Sequence, residues 1–179
     1  MTQERNLGEI TIRPMTAADV AAVSLLDGKS FSLPWPKRAF ENELTNPMAR
    51  CWVVDYQKGA QPVLAAALII WIILDEAHIA TIACDEAFRR QGIAKVLLAH
   101  ALLSAFNDGA VTALLEVRRG NEPALTLYQS TGFYTTGVRK KYYSDNHEDA
   151  LLMNLDKIDP AFWQGVIDEY IRKKSEVNR

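Results

Sequence analysis

Two arginines, a glycine and a lysine crowd one short run, Phe88-Arg89-Arg90-Gln91-Gly92-Ile93-Ala94-Lys95-Val96-Leu97, at the head of a strongly apolar stretch. The first turn of a helix carries backbone N–H groups without an intrahelical acceptor, and the helix dipole makes that end positive. A glycine there lets a guest approach the backbone, while Arg89, Arg90 and Lys95 add charge nearby. The expected guest is an anion, phosphate above all. No Lys-Ser or Lys-Thr follows the glycine, so this is not a Walker A loop, and it is not a G-x-G-x-x-G dinucleotide turn. Taken alone, the same residues also describe an ordinary helix start.

Two further residues suit proton transfer. Glu116 stands between Leu115 and Val117, and an apolar neighbourhood raises a carboxyl pKa and improves it as a base. It can equally pair with Arg118, two residues on and on the same strand face. Tyr128 follows Asn121 by seven residues, which places both on one helix face with the small Ala124 between them. A phenol with an ordinary pKa of about 10 stays protonated at neutral pH and can donate. A plain core aromatic would occupy the same position.

The elements that must position these residues follow from hydrophobic periodicity. Glu9–Arg13 alternates as a first strand. Pro14 and Thr16 then open a helix through about Leu26, with Thr16 as N-cap. Two prolines make Phe31–Pro36 a rigid aromatic loop, and a short helix covers about Lys37–Leu44. Arg50–Gln57, Val63–Leu74 and His78–Cys84 form an antiparallel meander. A helix over Ile93–Asn107 follows, with His100, Ser104 and Asn107 as a polar stripe, and Gly109 caps it. Thr112–Arg119 is a buried strand. Asn121 caps the next helix, Pro123 sits in its first turn and Gly132 closes it. Phe133–Tyr143 and Glu148–Leu155 pair across Ser144-Asp145-Asn146. The last segment is an amphipathic helix with Phe162, Val166, Ile167 and Tyr170 as its apolar stripe.

Composition bounds the function classes. The chain has 179 residues, 49% apolar and 23% charged, with net charge −2 and pI near 5.9. A near-neutral chain has no global attraction to nucleic acid or an anionic membrane. Cys51 and Cys84 are expected as buried thiols rather than a disulfide, and His78, His100 and His147 lack metal-ligand spacing. Pro62–Leu74 is too short to span a bilayer. MTQERNLGEITI lacks the basic–apolar–small order of a secretory signal, so a cytoplasmic protein is expected.

Arg89-x-x-Gly92-x-Ala94, after Thr81-Ile82-Ala83-Cys84-Asp85, resembles the acetyl-CoA loop of the GNAT-superfamily N-acetyltransferases. LEVRRGNEPALTLYQSTGF (Leu115–Phe133), RKKYYSDNHEDALLMNL and FSLPWPKRAF resemble stretches of the bacterial ribosomal-protein-alanine N-acetyltransferases (RimI), although Pro36 stands where that family often has serine. The similarity runs from about Ile12 to Leu155. It implies an α/β GNAT fold, a mixed and mostly antiparallel twisted sheet flanked by helices. Residues 1–156 would form the acetyltransferase domain and 157–179 a C-terminal helical extension.

The resemblance also implies roles. Glu116 would be the general base and Tyr128 the general acid that protonates the coenzyme A thiolate. Ile82, Ala83 and Cys84 would meet the pantetheine, and Arg90, Gln91, Gly92, Ile93, Ala94 and Lys95 the pyrophosphate. Asn121 would both cap its helix and contact the coenzyme. Beside these roles, Trp35, Tyr142 and Tyr143 would either wall the acceptor groove or serve only as packing. Acetyl-CoA would be co-substrate, with no metal. The partner would be a protein N-terminus, the alanine of ribosomal small-subunit protein eighteen, met by a monomer or weak dimer that binds neither nucleic acid nor membrane. Lysine side chains or small amines are the alternative acceptors, and a non-catalytic acyl-CoA sensor is the alternative of another class. An α-amine with pKa about 8 holds far more neutral amine at pH 7 than a lysine near 10.4, a gap of about 3 kcal/mol that favours the N-terminus.

Overall fold

The computed structural model describes residues 4–177; the first three residues of the segment examined for a secretory signal, and the last two of the predicted extension, lie outside them. Eight strands form one sheet: β1 (Arg5–Asn6), β2 (Ile10–Pro14), β3 (Ala49–Lys58), β4 (Gln61–Ile73), β5 (Glu76–Cys84), β6 (Thr112–Arg118), β7 (Tyr134–Arg139) and β8 (Ala150–Leu155). Their spatial order is β1-β2-β3-β4-β5-β6-β8-β7. Every pairing is antiparallel except β5 with β6, which is parallel. Five helices accompany the sheet: α1 (Val20–Ser30), α2 (Lys37–Glu43), α3 (Ile93–Asn107), α4 (Glu122–Gln129) and α5 (Pro160–Val177).

Strand alternation divides the core. In β3, Trp52 and Val54 join one apolar cluster while Val53 joins another; in β4, Ala66, Leu68 and Ile70 face the first, and Ala67 and Ile69 the second. Successive strand residues point to opposite faces. The first cluster takes in buried residues of α3, α4 and α5, and the second those of α1 and α2. The sheet is therefore a middle layer, and β4, covered on both sides, reads as an unbroken apolar run for that reason.

Several expectations need correction. Helix α1 runs on to Ser30, and Thr16 instead caps a 3₁₀ turn at Ala17–Asp19, in a capping box with Asp19. Strand β1 is too short to leave a periodic signal. His100 is buried rather than part of a wet stripe, its ring edge-on to Trp52 at 4.3 Å. Burial lowers its pKa to about 4, because α3 is covered both by the sheet and by α5. On α5 the buried stripe is Trp163, Val166, Ile167 and Tyr170, whereas Phe162 is 44% exposed. The spacing 163, 166, 167, 170 follows the helical repeat more closely than a stripe begun at 162. Cys51 and Cys84 are free and half-buried. No helix among the described residues is long and apolar enough to cross a membrane.

One irregularity prepares the site. Thr81 pairs with Ile69 and Ile79 with Ile70, so Ala80 is an extra residue in β5. Such a bulge bends the strand that carries it. Pairing of β5 with β6 stops at Ile79 and Leu115, while β5 stays paired to β4 through Cys84. Beyond that point β5 and β6 splay apart, leaving one edge of β5 without a strand.

Candidate active site

The loop after β5 ends in Arg90 and Gly92, both left-handed (φ 63° and 82°). Gly92 is the N-cap of α3, and no side chain caps this end. Among the described residues, the amides from 90 to 95 meet no protein acceptor. Six such donors beside two cations, Arg90 and Lys95, suit a pyrophosphate. A groove of about 1160 Å³ starts at this loop, follows Ile82, Ala83 and Cys84, and reaches Asn121, Pro123, Ala124 and Leu127 on α4. Its length and donor set fit an extended coenzyme with a phosphate end and a thiol end.

Of the residues expected at the coenzyme, Ile82, Ala83, Cys84, Arg90, Gly92, Ile93, Ala94, Lys95 and Asn121 all line this groove. Gln91 faces a neighbouring cleft instead, and its side chain donates to the Ala87 carbonyl (3.2 Å). Asn121 caps α4 as expected, its Oδ1 accepting from the Ala124 amide (3.2 Å). Arg89 Nε donates to the Cys84 carbonyl (3.2 Å), so this arginine braces the loop. Burial pushes the Cys84 thiol up to about 11, so it is neutral at physiological pH.

Around Glu116 the structure departs from the simplest expectation. Leu115 and Val117 face the cluster beneath α3, so they line the other side of the sheet from the Glu116 carboxylate. Its actual neighbours are polar: Arg139 Nη1 lies 2.7 Å from Oε1, and the carboxylate raises the pKa of the nearby Tyr142 phenol. Arg118 does not pair with Glu116. It binds Asp145 (2.9 Å) and Glu148 (3.2 Å), donates to Ser32 Oγ (3.0 Å), and lies 3.7 Å above the Tyr143 ring.

Tyr128 is almost fully buried, packs against Phe133 and does not line the groove. Burial drives its pKa well above the usual phenol value, and the nearby Tyr143 adds to the effect. Its hydroxyl makes no hydrogen bond among the described residues. Tyr143 also senses Glu116 electrostatically, so Glu116, Tyr128, Tyr142 and Tyr143 belong to one cluster. Trp35 stands apart from it, stacked on Trp71 (6.2 Å) and tilted against Phe40 (5.6 Å).

Sequence reasoning missed the residues that join the proline loop, β6 and the β7–β8 connection. Ser32, Arg118 and Glu148 line the groove. Glu148 Oε1 accepts the Gly120 amide at 2.6 Å, a bond that lowers its pKa, and Asp149 accepts the Lys141 amide (2.9 Å). Buried Asp27 accepts the Trp35 amide (2.7 Å) and so anchors the proline loop. The Glu148-Asp149 pair was visible as part of a motif, but nothing local assigned it these partners. Among the described residues, no group of three His, Cys, Asp or Glu side chains could hold a metal ion.

This combination of a splayed strand, an uncapped anion loop and a mixed sheet is matched by family comparison. Residues 20–133 match the acetyltransferase (GNAT) family, and the chain belongs to that family. Among its relatives is the [ribosomal protein bS18]-alanine N-acetyltransferase of Salmonella typhimurium, 33% identical over 147 residues, covering 81% of this chain and 96% of the relative. Another is the N-alpha-acetyltransferase RimI of Mycobacterium tuberculosis, 35% identical over 162 residues, covering 85% of this chain and 96% of the relative. The crystal structure of the ribosomal-protein-S18-alanine N-acetyltransferase from Escherichia coli superposes with TM-score 0.73 at 29% identity, covering 84% of this chain and 96% of that one.

Proposed function

We propose that this protein transfers the acetyl group of acetyl-CoA to the α-amine of a protein N-terminus, the alanine of ribosomal protein bS18 being the acceptor its relatives' names support. The observation that carries the reading is a single groove that runs from six acceptor-free amides to Arg118, which lies over the ring of Tyr143 in the Glu116 cluster. Residues 1–156 are the acetyltransferase unit in this reading, 157–179 extend it, and the protein works in the cytoplasm, where ribosomal proteins are made.

The amides of 90–95, with Arg90 and Lys95, hold the pyrophosphate; the free edge of β5 from Ala80 to Cys84 aligns the pantetheine, and Asn121 adds a contact from α4. When bound, the coenzyme supplies an activated thioester. Glu116, oriented by Arg139, accepts the ammonium proton directly or through water. The freed amine forms the new C–N bond as the C–S bond breaks. Tyr128, kept neutral by burial, gives its proton to the leaving sulfur and regains one from the second proton that the nitrogen sheds as the amide forms. Tyr142 and Tyr143 flank the entering chain, with Trp35 supporting the proline loop. Because an α-amine gives up its proton about 3 kcal/mol more readily than lysine, a carboxylate base suffices.

Incubation with acetyl-CoA and a peptide carrying the bS18 N-terminal sequence tests this reading. Coenzyme A release with acetylation of the N-terminal amine is expected. Acetylation of lysine or of a polyamine in preference to the α-amine would overturn the acceptor. Coenzyme binding without turnover of any amine would make the protein a sensor.

A further inference from the structure

One buried residue grips the proline loop at both ends. The carbonyl of Asp27, in the last turn of α1, accepts the Phe31 amide (3.0 Å), and its carboxylate accepts the Trp35 amide (2.7 Å). Asp27 is only 2% exposed, and among the described residues no cation pairs with it. Burial raises its pKa; the Trp35 amide and the nearby Thr81 side chain offset part of that rise. A buried carboxyl without a cation is costly. An apolar side chain would let α1 pack on β4 and β5 without that cost. What the carboxylate contributes therefore lies in the groups it holds.

Those groups belong to two walls of the large groove. Thr81 stands on β5 one residue past the Ala80 bulge, and Ile82, Ala83 and Cys84 follow it along the groove. Ser30, Phe31 and Ser32, from the end of α1 and the proline loop, line the same groove. Ser32 is also fastened elsewhere, donating to Asp145 (2.5 Å) and accepting from Arg118 (3.0 Å). Strand β5 is locked independently, by its pairing with β4 through Cys84. Loss of the Asp27 carboxylate would thus free the loop and leave the strand in place. We propose that Asp27 is a positioning residue for acetyl transfer, fixing the proline loop against β5 so that the acceptor amine arrives within reach of the thioester. Reacting atoms must come within about 3–3.5 Å, and a misplacement of about 1 Å costs about a hundredfold in rate. This rests on the acetyl-transfer reading above.

Steady-state kinetics with acetyl-CoA and the bS18 N-terminal peptide, beside calorimetry with coenzyme A, test it. Asp27→Leu keeps the bulk of the side chain and removes the acceptor. Its kcat/KM for the peptide should fall about ten- to a hundredfold, with coenzyme affinity within about twofold of wild type. A residue that served folding alone would lower the melting temperature without separating peptide from coenzyme. Asp27→Asn keeps an oxygen for the Trp35 amide and should stay within about threefold of wild type, the scale of a neutral bond replacing a charge-assisted one. Thr81→Val, nearly isosteric, should lower the same peptide parameter a few-fold, and it reads the inference even where Asp27→Leu fails to fold. Wild-type peptide kinetics in Asp27→Leu or Thr81→Val overturn the inference while the acetyl-transfer reading stands. So does a matching loss of coenzyme affinity, or an Asp27→Asn protein as slow as Asp27→Leu. Acetylation of no amine by the wild-type protein overturns both.

Discussion

The loop from Arg90 to Lys95 presents the backbone amides of one continuous segment, whereas the region around Glu116 is assembled from side chains as distant in sequence as Ser32 and Glu148. The first depends on main-chain conformation, with φ of 63° and 82° at Arg90 and Gly92 and the start of α3 behind them. The second depends on charge pairing, with Arg118 joining the proline loop, β6 and the β7–β8 connection through Ser32, Asp145 and Glu148. Amides carry no side-chain identity and can serve one common cofactor. Side chains can be exchanged one by one, so the region around Glu116 is the half open to change by substitution.

That contrast predicts separable effects. Glu116→Gln and Tyr128→Phe should each lower kcat by about a hundredfold or more, the scale of general acid–base assistance, and leave coenzyme affinity by calorimetry within about twofold. A parallel loss of coenzyme binding would break the division of labour. Arg118→Lys should come next. Lysine cannot reproduce the planar fork that engages Asp145 and Glu148 together, so steady-state KM for the peptide should rise about tenfold, with a smaller change for acetyl-CoA.

Gly92→Ala tests the other half. A non-glycine residue at φ 82° costs about 1–2 kcal/mol, while the new methyl would make only ordinary contact with Tyr170. Coenzyme affinity should fall about three- to tenfold, and kcat at saturation should hold. A wild-type titration would show that the amides are not the binding groups.

The smallest effect on either half is expected at His100. Its folded pKa, about 4, lies below the ordinary value of 6.5. Below pH 6.5 the unfolded chain takes up a proton that the folded protein refuses, so stability falls as pH drops from 6.5 towards 4. Urea unfolding at pH 7 and pH 5 should differ by about 2 kcal/mol from this group, and His100→Leu should remove that part of the dependence. The Arg13-paired Asp19, lowered to about 2, acts only at more acid pH, below 3.8.

How much of this was legible beforehand varied with locality. The limits of α3 at Ile93 and Asn107, the Asn121 cap and the meander of β3 to β5 came from neighbouring residues and were correctly read. On α5 Val166, Ile167 and Tyr170 are buried as expected, but Trp163 takes the place of Phe162, since the two carry the same apolar signal and only docking on α3 distinguishes them. The bulge at Ala80 has no sequence mark, because it is defined by the partner strand's register. Arg139 as the companion of Glu116 was equally invisible, since β8 lies between β6 and β7 and the two residues approach across it.

The sequence by itself determined what depends on neighbours along the chain: the order of strands and helices, the glycine-gated start of α3, the candidate acid and base, and the family. Only the tertiary structure decided what depends on neighbours in space. It parted β5 from β6, surrounded Glu116 with Arg139 and Tyr142 instead of Leu115 and Val117, withdrew His100 from water, and brought Asp27 beside Thr81. Periodicity and capping are short-range constraints that any stretch of chain reveals. Pairing across a sheet, and the solvation of a buried charge, depend on the whole packed fold.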